Sequence, residues 1–142
     1  MLIKIPQNSD KYFWTKHAIM KMKEYSLSAQ RIKRVIRSPW RKETGIAKNT
    51  IAVMQPVSSK RDKKGNKIWK SEIWVMYQLV YSNKLEEKGL KNKIFQEKKG
   101  KMKNILNYNQ QLKIISAWRF PGVSPAKNPI PESILNELDN IN

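Results

Sequence analysis

Residues 68–81 read IWKSEIWVMYQLVY, and this run of β-branched and aromatic side chains decides the fold because it is typical of a long strand. Two segments of similar character lie at residues 50–57 (TIAVMQPV) and 112–120 (LKIISAWRF). A short strand at residues 41–44 is expected to precede them. Consecutive strands without intervening helices pair as antiparallel neighbours. The sequence therefore predicts an antiparallel sheet of three to four strands.

Two helices are predicted ahead of this sheet. Apolar positions of the first recur at spacings of four, four and three, which places them on one helix face: Trp14, Ala18, Met22 and Tyr25. Ser28 suits the N-cap of the second helix. That helix is expected to end at about Arg37, since the residue before Pro39 avoids helical geometry.

The predicted fold class is α+β, with two N-terminal helices packed on the antiparallel sheet and a short C-terminal helix that starts near Pro131. The helices are expected to cover one face of the sheet and to leave the other available. Residues 1–142 are interpreted as a single domain. Within it, residues 82–109, with eight lysines, are interpreted as a mobile basic insertion, and residues 121–142 as a proline-rich tail.

The charge of the chain points to a polyanionic partner. Lysine and arginine number 29 against 11 aspartate and glutamate, which gives a net charge of +18. Nucleic acid is the commonest such partner, because neutralised phosphates release condensed counterions. Since 23 of the basic residues are lysine, codon supply in an AT-rich genome is an alternative source of the charge. Acidic residues are not raised to match, and this favours a nucleic-acid partner.

The residue inventory excludes most catalytic classes. One histidine and no cysteine rule out the usual zinc sites, disulfides and cysteine nucleophiles. The carboxylates are scattered, and the chain has no phosphate loop, nucleophile elbow or dinucleotide fingerprint. It also has no apolar run of membrane-spanning or signal-peptide length. We expect a cytoplasmic protein that uses no metal and no cofactor and does not contact membranes.

What remains is a set of bases with aromatic neighbours that suits the cleavage of RNA without a metal ion. In that reaction the 2′-OH attacks the adjacent phosphate. Histidine suits the two proton transfers, and arginine suits the charge of the phosphorane. Aromatic rings can splay the bases. The candidate residues are Lys16, His17, Lys21, Arg31, Arg34 and Arg119, with Tyr77 and Trp118 beside them in the pattern. Trp69 and Trp74 are expected on opposite faces of their strand, one in the core and one available for stacking.

Two short motifs resemble a known family. Residues 15–18 (TKHA), the Leu27-Ser28 break and the second helix before Pro39 are similar to a small bacterial domain. The strand at residues 114–119 (IISAWR) resembles the corresponding strand of the BrnT-type toxins. Both groups lie near the RelE/ParE-like toxins. The resemblance implies a small basic α+β protein that cuts RNA without metal, acts on the ribosome in many members, and is silenced by a cognate antitoxin.

The resemblance makes His17 and Arg119 the leading site residues. His17 is then the general acid or base, and Arg34 and Arg119 stabilise the phosphorane. Lys16, Lys21 and Arg31 would hold flanking phosphates, and Trp118 would stack against RNA.

A second reading is a non-catalytic RNA- or ribosome-binding module on the same fold, favoured by the basic surface and by Trp118 directly before Arg119. A third is a protein-binding module that uses the apolar C-terminal helix.

Overall fold

A five-stranded mixed sheet forms the centre of the protein in a computed structural model, which describes residues 3–44, 46–81 and 110–139. In chain order the elements are β1 (Tyr12–Trp14), α1 (Lys16–Tyr25), α2 (Ala29–Arg37), β2 (Arg41–Thr44), β3 (Thr50–Pro56), β4 (Lys60–Arg61), β5 (Lys67–Ile68), β6 (Ser71–Tyr81), β7 (Gln110–Pro121) and α3 (Glu132–Asp139). The sheet order is β1-β7-β6-β3-β2, and β4 pairs with β5 in a separate hairpin. The α+β class is confirmed, and the sheet has more strands than predicted.

The additional strand, β1, is the main departure from the predicted sheet. It runs parallel to β7, with Trp14 opposite Ile114, whereas every other pair in the sheet is antiparallel. The predicted first helix included Trp14, whereas this residue belongs to β1. Instead Thr15 caps α1 through a 3.0 Å hydrogen bond from the Ala18 amide, and its hydroxyl donates to the Ile114 carbonyl at 2.8 Å. A three-residue strand has too short a pattern to be recognised before its partner is known.

The second helix has the predicted bounds. The Ser28 hydroxyl accepts a hydrogen bond from the Arg31 amide at 3.1 Å, which satisfies one of the free donors at the N-terminus of α2. The helix ends at Arg37, one residue before the Ser38-Pro39 pair. Its buried residues, Ile32 and Val35, lie on the side that faces the sheet.

Helices α1 and α2 cover one face of the sheet, as predicted. Apolar side chains of both helices pack there against three central strands and β1, and none of these side chains is more than 8% exposed: Tyr12, Trp14, Ala18, Met22, Leu27, Ile32, Val35, Val53, Ile73, Val75, Tyr77, Ile114 and Ala117. Burial of this apolar area is the main source of the stability of the domain.

The prediction that the second face is left available is wrong. The C-terminal segment folds over it, and Ile130, Ile134 and Leu138 pack on the strands with the paired rings of Trp74 and Trp118. The physical reason lies in the C-terminal helix, whose buried positions Ile134 and Leu138 are one turn apart. An amphipathic helix of this kind has to bury its apolar side, and the open face of the sheet offers the surface. The protein therefore has helical cover on both sides of the sheet.

A bulge in β7 determines which side chains reach each face. Met76 pairs with Ser116 and Tyr77 with Ile114, so Ile115 is the extra residue. Beyond the bulge, Trp118 lies opposite Trp74 and Arg119 lies opposite Ile73 of the helix-covered face. Arg119 and Trp118 thus belong to opposite faces of the sheet.

The predicted basic insertion at residues 82–109 connects β6 to β7 and lies outside the described residues. None of the helices in the described ranges is both long enough and apolar enough to cross a membrane.

Candidate nucleic-acid interface

Three arginines from α2 and β7 converge at one end of the sheet. Arg31 and Arg34 are one helical turn apart on the same flank of α2, and Arg119 lies near the end of β7. Burial lowers the pKa of Arg31, and the charges of Arg34 and Arg119 lower it further, so the three groups are within electrostatic range. Arginine still keeps its proton at neutral pH. These three residues are called the arginine cluster below.

Gln55 of β3 holds Arg31 in position. Its side-chain oxygen accepts a hydrogen bond from Arg31 Nη1 at 2.6 Å, and the Pro56 carbonyl accepts one from Nη2 at 3.2 Å. The side-chain nitrogen of Gln55 donates to the carbonyls of Arg34 and Ser38 at 3.2 and 2.8 Å. Because Gln55 is buried, these bonds fix both the end of α2 and the Arg31 guanidinium relative to the sheet.

Arg119 is held at the C-terminus of α1. Its Nε donates to the Tyr25 carbonyl at 2.7 Å, and its Nη2 donates to the Ser26 carbonyl at 3.3 Å. Ser26 adopts a left-handed conformation with φ 54°, which ends the helix there. A cation at this position satisfies free carbonyls and complements the helix dipole. The side chain remains exposed, so it is oriented by protein contacts while its charge stays accessible.

The arginine cluster has no acidic partner in the described part of the chain. The ion pairs found there involve Lys21 and Arg41 instead. Close positive charges without a counter-charge disfavour one another, and a bound anion relieves that repulsion. Guanidinium groups also match the oxygens of phosphate with paired N–H donors. The cluster is therefore suited to binding phosphate groups.

His17, the only histidine of the chain, is not part of this cluster. It lies on the first turn of α1, whereas Arg119 contacts the last turn and the residue beyond it. At ~1.5 Å of rise per residue, the eight residues from His17 to Tyr25 span about 12 Å along the axis. Proton transfer requires direct contact or one bridging water. The structure thus places Arg34 and Arg119 near Arg31 but leaves His17, their predicted catalytic partner, at the other end of the helix.

His17 instead belongs to a contact between α1 and α3. Its Nε2 lies 3.6 Å from Glu137 Oε2, beyond hydrogen-bond distance, and neither atom has another partner in the described residues. Burial lowers the pKa of His17, Lys21 adds to that effect, and Glu137 and Glu24 oppose it without cancelling it. The imidazole is therefore neutral at pH 7, and this contact is not an ion pair. Among the residues described, no three acidic or histidine side chains are grouped closely enough to hold a metal ion.

Lys21 is also engaged within the protein. Its side chain is 5% exposed, and Nζ donates to Glu137 at 2.7 Å and to Glu24 at 2.9 Å. Burial alone would lower the pKa of Lys21, but hydrogen bonds and charges of Glu137 and Glu24 outweigh it and raise the pKa. The lysine predicted to bind phosphate thus serves to attach α3 to α1.

We expect Lys21→Met to lower the free energy of unfolding by about 2 kcal/mol. Breaking a fully buried ion pair costs about 3–5 kcal/mol. The cost is smaller here because both carboxylates keep contact with water. Chemical denaturation measures the change. Lys23→Met is the matched control, since Lys23 is exposed on the same helix. Equal stability of the two variants would show that the contact with α3 contributes nothing.

The structure also locates the two remaining predicted RNA contacts. Lys16 is exposed at the start of α1, on the first turn with His17 and away from the arginine cluster. Trp118 is 1% exposed and stacks on Trp74 at 6.0 Å between ring centroids. The prediction that Trp118 stacks on RNA is wrong, because no base can reach a ring buried beneath the C-terminal segment.

A buried carboxylate, Glu72, was missed from the sequence. It is fully buried and accepts hydrogen bonds from Trp69 Nε1 at 2.8 Å, Trp74 Nε1 at 2.9 Å and the Ser124 amide at 3.2 Å. Trp69 and Trp74 therefore meet on one side, not on opposite faces as predicted, because β6 begins only at Ser71. A single acid within an apolar strand, flanked by two tryptophans, is the signal that could have revealed it.

Comparison of the chain with family models, curated proteins and solved structures finds no match. The resemblance to RelE- and BrnT-type toxins accordingly remains an expectation, supported by the short motifs alone. The geometry of the site has to carry the functional conclusion.

Proposed function

We propose that this protein binds RNA through the arginine cluster, as a non-catalytic module. The observation that carries the proposal is the convergence of Arg31, Arg34 and Arg119 without an acidic partner among the described residues. Two of these guanidinium groups are oriented by hydrogen bonds to the protein before any ligand binds. A preoriented donor loses less entropy on binding than a free surface lysine. The net charge of +18 adds long-range attraction for a polyanion. We propose that the protein binds this RNA in the cytoplasm.

The predicted endoribonuclease of toxin type is the second candidate. Arg34 and Arg119, two of its three predicted catalytic residues, both act electrostatically on Arg31 and would stabilise charge on a phosphorane held there. The proton transfers, however, have no histidine near these arginines. Binding explains the whole cluster, whereas cleavage requires a group that the cluster lacks.

Replacing Arg34 with glutamine tests the proposal most cleanly, because this side chain is exposed and no ion pair holds it in the described structure. We expect weaker binding of single-stranded RNA and a salt dependence, log K against log[salt], that is shallower by about 0.7. Fluorescence anisotropy between about 50 and 200 mM salt measures both quantities. Removing all three arginines should reduce the slope by about 2.

Arg37→Gln is the matched control, since Arg37 is exposed on the same helix, carries the same charge and is not among the charges that act on Arg31. Equal losses for Arg34 and Arg37 would contradict a localised site and leave only the overall charge. Cleavage of the RNA is assayed in the same mixtures, in the presence of EDTA, with and without ribosomes. Discrete cuts that vanish in His17→Ala would restore the ribonuclease candidate.

A further inference from the structure

Trp40 differs from the other described tryptophans in its exposure. Its residue is 45% exposed, whereas Trp14, Trp74 and Trp118 are at most 4% exposed and Trp69 is partly buried. The backbone at this position is tied to the sheet, because the Trp40 amide donates to the Met54 carbonyl at 2.8 Å, at the start of β2.

The Trp40 ring is oriented by its neighbours. Trp69 meets it at 5.7 Å between centroids with an interplanar angle of 86°, an edge-to-face arrangement. Trp69 is itself fixed by its hydrogen bond to the buried carboxylate of Glu72. The ammonium of Lys67 lies 4.5 Å from the centroid of the Trp40 ring. The hydrogen bond from Trp69 to Glu72 and the edge-to-face contact of the two rings thus orient Trp40, which carries a cation over one face.

A cavity of about 480 Å³ opens beside this ring. It is lined by Trp40 and Trp69, with Arg41, Glu43 and the buried Glu72 as its charged groups. Its volume lies within the range of about 300–1,000 Å³ usual for small-ligand sites. Arg41 Nε donates to Glu43 Oε1 at 2.7 Å, Nη1 donates to Ser124 Oγ at 3.1 Å, and Nη2 donates to the Ala126 carbonyl at 2.8 Å. The guanidinium group therefore holds the wall of the cavity in place, and the tryptophan rings remain as the surface for a base.

The cavity and the arginine cluster lie at the same end of the sheet. Met54, which accepts from the Trp40 amide, directly precedes Gln55 and Pro56, which accept from Arg31. Met54 lines the cavity, whereas Gln55 holds the cluster on the helix-covered side. Basic residues of the β4–β5 hairpin and of the turn before β6 border this end: Lys60, Arg61, Lys67 and Lys70. One polyanionic strand that passes around this end can contact both features.

We propose that Trp40 is a stacking platform for an unpaired base of single-stranded RNA, and that the adjoining cavity receives that base. This inference rests on the proposed function and specifies its ligand as RNA with accessible base faces. A double-stranded RNA offers phosphates to the arginine cluster but no free base face to Trp40. The basic border favours a nucleic acid over an apolar protein partner, because docking such a protein would bury lysines without counter-charges.

The test compares two short single-stranded RNAs of equal length, one intact and one in which abasic residues replace the bases. Both carry the same phosphates. Trp40→Ala is expected to weaken binding of the intact RNA by about 5- to 150-fold, the usual value of one stacked base, and to leave binding of the abasic RNA unchanged. Trp40→Phe should retain part of the affinity. The intact RNA should also quench tryptophan emission of the unmodified protein, and this quenching should be lost in Trp40→Phe.

Phe13→Ala is the matched control, since Phe13 is 39% exposed and lies on β1, at the opposite edge of the sheet from β2. Thermal denaturation checks that each variant is folded. Equal binding of the intact and abasic RNAs by the unmodified protein would overturn the stacking proposal and leave the arginine cluster intact. Equal losses for both RNAs in Trp40→Ala would also overturn it. Absence of binding to either RNA at low salt would instead refute the proposed function.

Discussion

Replacing Glu72 with alanine is expected to lower the free energy of unfolding by about 4 kcal/mol, since three donors lose their acceptor and each unsatisfied buried group costs about 1–3. The donors are the indole N–H groups of Trp69 and Trp74 and the amide of Ser124. All three are directed at a carboxylate that is fully buried. The hydrogen bonds to Glu72 connect β6 with the segment after β7, so their loss should also loosen the C-terminal segment. Urea denaturation measures the change in the free energy of unfolding.

The ionised state of Glu72 gives this prediction a pH signature. Burial alone would raise its pKa, but hydrogen bonds from Ser124, Trp69 and Trp74 outweigh burial and hold the pKa below its ordinary value of 4.5. Because the folded pKa lies below the unfolded one, this contribution to stability is complete above the unfolded pKa and is lost as pH falls through the folded pKa. Glu72→Gln should therefore flatten the decline of stability below about pH 4.5. An unchanged decline would show that other groups cause it.

Truncating Trp118 to alanine is expected to cost about 3–5 kcal/mol, the usual range for removing a large aromatic side chain from a core. Its ring stacks parallel to that of Trp74, with an interplanar angle of 0°, and is 1% exposed. The C-terminal segment packs on the same cluster through Ile134 and Leu138. The variant should expose that segment to limited proteolysis. Thermal or chemical denaturation gives the size of the loss.

Replacing Trp74 or Trp118 with phenylalanine distinguishes the contribution of packing to stability from that of hydrogen bonding. Trp118 Nε1 is buried without a partner in the described residues, whereas Trp74 Nε1 donates to Glu72 at 2.9 Å. Trp74→Phe should therefore cost about 1.5–3 kcal/mol more than Trp118→Phe, the worth of a hydrogen bond to a charged group. Equal costs would show that the bond to Glu72 adds nothing. RNA affinity of Trp118→Phe should match that of the unmodified protein, since this ring is inaccessible.

The sequence predicted correctly those helices and strands that are specified by residues close to one another in the chain. The capping Ser28 and the Ser38-Pro39 end of α2 are examples, because each acts within a few residues of the backbone it affects. The central strands were likewise visible from their β-branched and aromatic content. The parallel strand β1 was not, because its partner is about 100 residues away and is too distant for any sequence window.

The candidate site was predicted in part for the same reason. Arg31 and Arg34 share a flank through helical period alone, so their proximity follows from the sequence. The approach of Arg119 depends on the bulge in β7, which sets the face that each later residue occupies. The distance between His17 and Arg119 depends on where β7 crosses α1, which no motif encodes. Lys21 and Trp118 were misread because their partners, Glu137 and Trp74, come from distant segments.

The pairing of β1 with β7, the first and last strands of the described residues, also determines when the arginine cluster is completed during synthesis. The ribosome makes β1, α1 and α2 long before β7, the strand between β1 and β6. Contacts of such long sequence separation form slowly and late. Arg119 belongs to β7, so a growing chain carries Arg31 and Arg34 without the third member of the cluster. The complete cluster therefore exists only after β7 has been made and paired.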